Sequence, residues 1–132
     1  MNRLLLLMIT ASSLFISASA RCSEEDLAQS QSNYGAIAYS SSSDVYGRSW
    51  NYSSRQQAET RALRECQSRS AQNDCTVVTW FRDACGALAT TPNNGYGGDW
   101  GNSIVAAERN ALQICSQYGR NCTILTSVCS DR

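Results

Sequence analysis

The chain has no histidine and no lysine. Those two absences remove most of the usual catalytic repertoire. A serine or cysteine nucleophile needs a base beside it, so Ser-His-Asp, Cys-His and Ser-Lys arrangements are all excluded. A phosphate loop of the Walker type lacks its lysine. The glycine-rich stretch 94–101 therefore reads as a hairpin whose glycines accept positive φ. Without a C-x-x-C pair or a D-x-D-x-D-G loop, neither zinc nor calcium is expected, and no cofactor. An excess of either charge is missing too. Eleven basic residues, all arginine, cancel eleven acidic ones, and without a basic excess no nucleic-acid partner is expected. The strongest apolar run is far short of the roughly 20 residues that span a bilayer.

That run, residues 4–9, instead resembles the core of a signal peptide over 1–20, with Arg3 before it and Ala18-Ser19-Ala20 at the cleavage site. Arg21 before Cys22, where a small residue belongs, argues against a lipoprotein reading. Residues 21–33 are polar and read as a flexible leader. Seven cysteines in an exported chain point to an oxidising compartment, periplasmic rather than extracellular, with no membrane insertion once the signal is removed.

What the chain does have is a repeat. Ala58-Glu59-Thr60-Arg61-Ala62-Leu63-Arg64-Glu65-Cys66 returns as Ala107-Glu108-Arg109-Asn110-Ala111-Leu112-Gln113-Ile114-Cys115. Gly35-Ala36-Ile37-Ala38 returns as Gly86-Ala87-Leu88-Ala89, and Cys75-Thr76-Val77 as Cys122-Thr123-Ile124. A period of roughly 50 residues occurring only twice indicates one pseudo-symmetric domain rather than a solenoid. Its limits are 34–132, with repeat one at 34–84 and repeat two at 85–132. The repeat also pairs the cysteines. Cys66-Cys75 and Cys115-Cys122 flank equivalent loops. Cys85 and Cys129 are extra in the same repeat, facing Tyr34 and Arg82 in the other, and so are natural mates. Cys22 is left unpaired, which leaves a Cys22-linked dimer open.

Within each unit, alternation and turn residues predict a strand, a hairpin turn and a second strand, at 34–40 and 45–52 and again at 85–90 and 96–100. Ser54 with Gln57 three residues on is a helix start, the helix running to about 68, and its counterpart covers about 103–117. A third strand follows, at 75–82 and 122–129. The expected fold is α+β: a duplicated β-β-α-β unit forming a two-layer sandwich, a mostly antiparallel sheet covered by two helices and stapled by disulfides. The serines at 40–43 read as turn and solvent-facing residues.

The ordered motifs Y-G-A-I-A-Y-S at 34–40, Y-G-x-x-x-N-Y at 46–52, A-E-x-x-A-L-x-x-C at 58–66 and C-x-V-V-x-W-F-R-x-x-C-G-A-L-A at 75–89 resemble the family catalogued as domain of unknown function 4189. The resemblance spans 34–129 and implies an exported bacterial protein with a duplicated α+β domain. It carries no catalytic residues over.

Two constellations remain. Glu59 and Glu108 are repeat-equivalent, and a carboxylate pair is the one acid/base device available, as in glycan hydrolysis. Arg55, one turn before Glu59, argues instead for a helix-surface ion pair. Tyr46, Trp50, Tyr52, Tyr96 and Trp100 gather on the two hairpins as candidate partner-binding residues, because aromatics dominate interface hot spots. Trp80 and Phe81, adjacent on a strand, must face opposite ways. The expectation is an exported, non-enzymatic protein-binding domain, in its narrowest form a periplasmic immunity-type inhibitor of an antibacterial toxin. The alternatives are a secreted effector acting on a host or envelope target, and a cell-wall glycan hydrolase using Glu59 and Glu108.

Overall fold

A computed structural model describes residues 32–131. The signal peptide, most of the leader and Cys22 lie outside the described residues. The elements, in chain order, are β1 (Tyr34–Ser40), β2 (Val45–Tyr52), α1 (Arg55–Arg69), β3 (Thr76–Arg82), β4 (Cys85–Thr90), β5 (Tyr96–Gly101), α2 (Ile104–Cys115) and β6 (Thr123–Cys129). Ser54 and Ser103 cap the helices, each side chain accepting from the backbone N–H three residues on, at Gln57 and Ala106.

The α+β class, the duplication and the antiparallel pairing are those expected. The strands, however, form two three-stranded sheets, β2-β1-β3 and β5-β4-β6, rather than one. The reason lies in the central strands, which are buried on both faces. One face of β1, Ala36 and Ala38, packs on Ala58, Ala62 and Cys66 of α1. The matching face of β4, Ala87 and Ala89, packs on Ala107, Ala111 and Cys115 of α2. The other faces carry Ile37, Tyr39 and Leu88 and meet each other around Phe81. A single six-stranded sheet would leave those residues in water. The order of layers is therefore helix, sheet, sheet, helix, with β1 against β4, β3 against β5 and β2 against β6.

Each helix lies almost on the strand backbone beneath it. A Cβ at Gly47 would sit 2.1 Å from the Ala62 carbonyl oxygen, and one at Gly97 2.3 Å from the Cys115 nitrogen. These glycines are there for lack of room. The expected positive φ belongs to other residues: no described glycine adopts it, whereas Asp44, Asn51, Asn73, Asp83, Asn94 and Asn121 do. Asn and Asp tolerate the left-handed region because their short side chains hydrogen-bond locally.

Disulfides join Cys66 to Cys75 and Cys115 to Cys122, tying the end of each helix to the third strand of its own unit. Cys85 is bonded to Cys129, its direct neighbour across the β4–β6 ladder. In repeat one the same register position holds Tyr34 opposite Arg82, with the guanidinium 6.0 Å from the ring centroid. Closing a loop in this way stabilises a small domain by about 2–4 kcal/mol per bridge.

The serine-rich turn is not merely solvent-facing. Ser40 is fully buried, and the hydroxyls of Ser40, Ser42 and Ser70 all donate to the Asp74 carboxylate. Asp74 thereby ties the β1–β2 turn to the end of α1 and the loop before Cys75. The Ser40 and Ser42 hydroxyls hold its carboxyl below the ordinary aspartate value of 3.8. A depressed folded-state value means the stabilisation is complete above 3.8 and disappears as pH falls through the folded-state pKa. Asp74→Asn is accordingly expected to lower the melting temperature at neutral pH and flatten its fall below about pH 4. Melting curves from pH 2 to 7 test this, and an unchanged acid limb would contradict it.

Candidate functional site

A pseudo-two-fold sandwich has two equivalent seams where edge strands of the sheets meet: β2 with β6, and β5 with β3. They are not built alike. The β2/β6 seam is closed by cross-sheet hydrogen bonds, with Trp50 left 48% exposed beside a hollow of about 350 Å³. Arg48 of β2 donates to the Thr126 hydroxyl at 3.2 Å and the Ser127 carbonyl at 3.1 Å, both on β6. Asn51 then fastens the far end: its side chain donates to the Asp131 carboxylate at 2.9 Å and accepts from the Asp131 N–H at 2.8 Å, and its own N–H donates to Ser130 Oγ.

Asn51 is an inserted residue. The β1–β2 register shifts between Tyr34 and Ala36, as at a β-bulge, whereas β4–β5 runs without a shift. Repeat two has no counterpart to it. Asn51→Gly keeps the left-handed backbone (φ 61°) while deleting the amide, and is expected to cost about 1 kcal/mol in urea unfolding, from two exposed hydrogen bonds. An unchanged midpoint would show that the latch contributes nothing.

At the β5/β3 seam, Gly98 occupies the position of Arg48. It lets the strands touch, since a Cβ there would meet Val78 Cγ2 at 2.8 Å. On one side of that contact lies an open hollow of about 660 Å³ walled by Thr76, Val78, Tyr96, Ile114 and Tyr118. On the other lies a second of about 430 Å³ walled by Trp80, Arg82, Asp99 and Trp100. Trp80, Tyr96, Trp100 and Tyr118 are 37%, 37%, 50% and 68% exposed. Over the helix-facing side of β3, Arg55 stacks 4.3 Å from the Trp80 ring while also bonding Glu59 at 2.6 Å, and Trp80 stacks on Tyr34.

The five aromatic candidates do not form one patch. Tyr52 packs beneath α1. Tyr46 packs at the margin of the inter-sheet core, with Arg69 5.7 Å from its ring. Trp50 lies on the closed seam beside Arg48. Tyr96 and Trp100 lie on the open seam, Tyr96 edge-on to Tyr39 at 5.2 Å. Burial, then Asp44, raises the Tyr39 phenol above its usual range and keeps it protonated as a donor to Asp44 Oδ1. Trp80 and Tyr118 complete the open seam. The signal for Tyr118 and Gly98 was present in the repeat as differences, Tyr118 standing for Arg69 and Gly98 for Arg48.

The carboxylate pair is not assembled. Glu59 and Glu108 sit on helices in opposite outer layers, with two sheets between them. Packed sheets alone are roughly 10 Å apart, whereas glycosidase carboxyls are separated by about 5–9.5 Å. Glu59 is engaged by Arg55 and Glu108 by the Ser127 hydroxyl at 3.0 Å.

The sequence model described as Domain of unknown function (DUF4189) matches residues 34–129. The chain belongs to this family. DUF4189 thus covers the strands and helices of both units and the three disulfides. Protein Rv1269c of Mycobacterium tuberculosis and Protein Mb1300c of Mycobacterium bovis are each 43% identical to this chain over 79 residues. That stretch is 60% of this chain and 58% of theirs, so the match spans less than two thirds of those relatives. The solved NMR structure of Rv1813c from Mycobacterium tuberculosis is similar in fold, with a TM-score of 0.53 at 30% identity over 74% of each chain. The three disulfides fit an oxidising environment. No helix among the described residues is long and apolar enough to cross a membrane.

Proposed function

We propose that this DUF4189 chain is an exported, non-enzymatic protein-binding domain that docks its partner on the open β5/β3 seam. One observation carries the reading: of two equivalent seams, one is closed by Arg48 and Asn51, and the other exposes Trp80, Tyr96, Trp100 and Tyr118 around two hollows. Tryptophan, tyrosine and arginine are the residues that concentrate binding energy at interfaces. The face has room to contribute to the roughly 1,600 Å² that a specific complex buries.

The test is affinity capture with tagged protein 21–132 from envelope and culture fractions of its source, followed by titration of the partner. Trp100→Ala is expected to weaken binding at least about 30-fold, the effect of losing a hot-spot side chain. Trp50→Ala, on the closed seam, is expected to leave it unchanged. Equal losses from both, or no partner at all, would overturn the proposal. A toxin captured in the periplasm makes the domain an immunity-type inhibitor; a host or envelope protein captured from culture fluid makes it a secreted effector.

A further inference from the structure

Resting on the reading of this seam as a docking surface, we propose that the free edge of β5 at Tyr96–Gly98 takes up an extended peptide as an added strand, main chain to main chain. Backbone groups of an edge strand point alternately toward the neighbouring strand and away from it. Trp100 sets the phase in β5. Its N–H donates to Asp99 Oδ1 at 2.8 Å and its carbonyl accepts from Asn110 Nδ2 at 2.9 Å, so both point away from β4. By the two-residue period, Tyr96 and Gly98 also point outward. These groups lie on the side of β5 that pairs with no strand among the described residues.

Repeat one shows the same edge guarded. The outward carbonyl of Tyr46, the equivalent of Tyr96, accepts from Arg69 Nη1 at 3.0 Å. Arg48, the equivalent of Gly98, extends across to β6. Unpaired strand edges are ordinarily blunted by long charged side chains or bulges. Repeat one has both, in Arg69, Arg48 and the bulge at Asn51. Repeat two has Tyr118, Gly98 and an unshifted register in their places.

The hollow beside this edge suits one kind of occupant. Its volume of about 660 Å³ is walled without a single charged residue. An added strand would send alternate side chains toward Val78 and Tyr96 on one side and toward Tyr118 and Ile114 on the other. The peptide it fits is extended and uncharged, with β-branched or aromatic residues at alternate positions. Asp99 and Asn110 terminate the open stretch by occupying Trp100.

The experiment selects linear peptides from a phage-displayed random library on protein 21–132, then scans the best binder by N-methylating one backbone amide at a time. Strand addition predicts a loss of about tenfold or more at every second residue and little between. It also predicts slowed amide exchange at Tyr96 and Gly98 in the complex. Tyr118→Arg, which installs a guanidinium where Arg69 stands in repeat one, is expected to reduce affinity at least tenfold, and Trp50→Ala not at all. Tyr118 is 68% exposed, so its replacement leaves the core untouched. Tolerance of N-methylation throughout, protection at β2 instead, or self-pairing of two copies through β5 would each overturn the proposal. Binding that needs Trp100 but tolerates every N-methyl group would sink strand addition while leaving the docking seam standing. A library that yields no seam-dependent binder would sink both.

Discussion

Phe81→Ala is expected to destabilise the domain by about 3–5 kcal/mol, the range for emptying a phenylalanine site in a packed core. Phe81 is the one phenylalanine among the described residues and is 1% exposed. It fills space belonging to both repeats: Cβ atoms built at Gly35 and Gly86 would lie 2.2 and 2.4 Å from its ring. Those glycines are repeat-equivalent and lie on the two central strands, so the ring joins the sheets at the middle of the molecule. Small domains hold only about 5–15 kcal/mol of net stability, and this loss takes a large part of it. Guanidinium unfolding with the disulfides intact measures the effect. A change below about 1 kcal/mol would mean the neighbouring side chains collapse into the space and that the ring is not what holds the sheets in register.

The second large effect is expected from a single methyl group. Gly47→Ala and Gly97→Ala place a Cβ against the helix backbone rather than against a side chain that can turn away. At Gly47 the obstacles are the Ala62 carbonyl oxygen at 2.1 Å and the Cys66 nitrogen at 2.4 Å; at Gly97 they are the Cys115 nitrogen and the Ala111 oxygen. Relief requires moving α1 or α2 as a body, and each is anchored by a disulfide at its end. The expected cost is at or above the upper end of the about 1–3 kcal/mol typical of overpacking. The helix should shift while keeping its helicity, so near-ultraviolet dichroism changes more than far-ultraviolet dichroism. Wild-type stability in either variant would contradict the contact.

Much of this architecture is readable from the chain because the two units repeat the same chemistry at the same spacing. The helix faces are carried by Ala58, Ala62 and Cys66 and by their equivalents, and Ser54 and Ser103 cap where a serine precedes an apolar stripe. Cys85 and Cys129 pair because both are extra in one unit, and the ladder places them opposite each other. The layer count was harder to read. Ala36 to Tyr39 is apolar at every position, which signals burial on both faces, but whether a second sheet or another helix covers the second face depends on tertiary contacts. The glycines misled for a related reason: a turn and a close approach both select glycine, and only the helix position distinguishes them. The open seam is hardest of all, because it consists of departures at Gly98 and Tyr118 and the absence of an Asn51 counterpart, whereas a repeat is recognised by what it preserves.

The position of Phe81 bears on how the duplicated chain can be divided. Its equivalent in repeat two is Val128, which packs at the margin of the same inter-sheet layer. A symmetric pair of first units would bring two phenyl rings to a space that holds one. A symmetric pair of second units would bring two isopropyl groups and leave it partly empty. Each half has therefore become the other's necessary complement. Two chains, each carrying one unit, are expected to assemble more stably as an unlike pair than as twins.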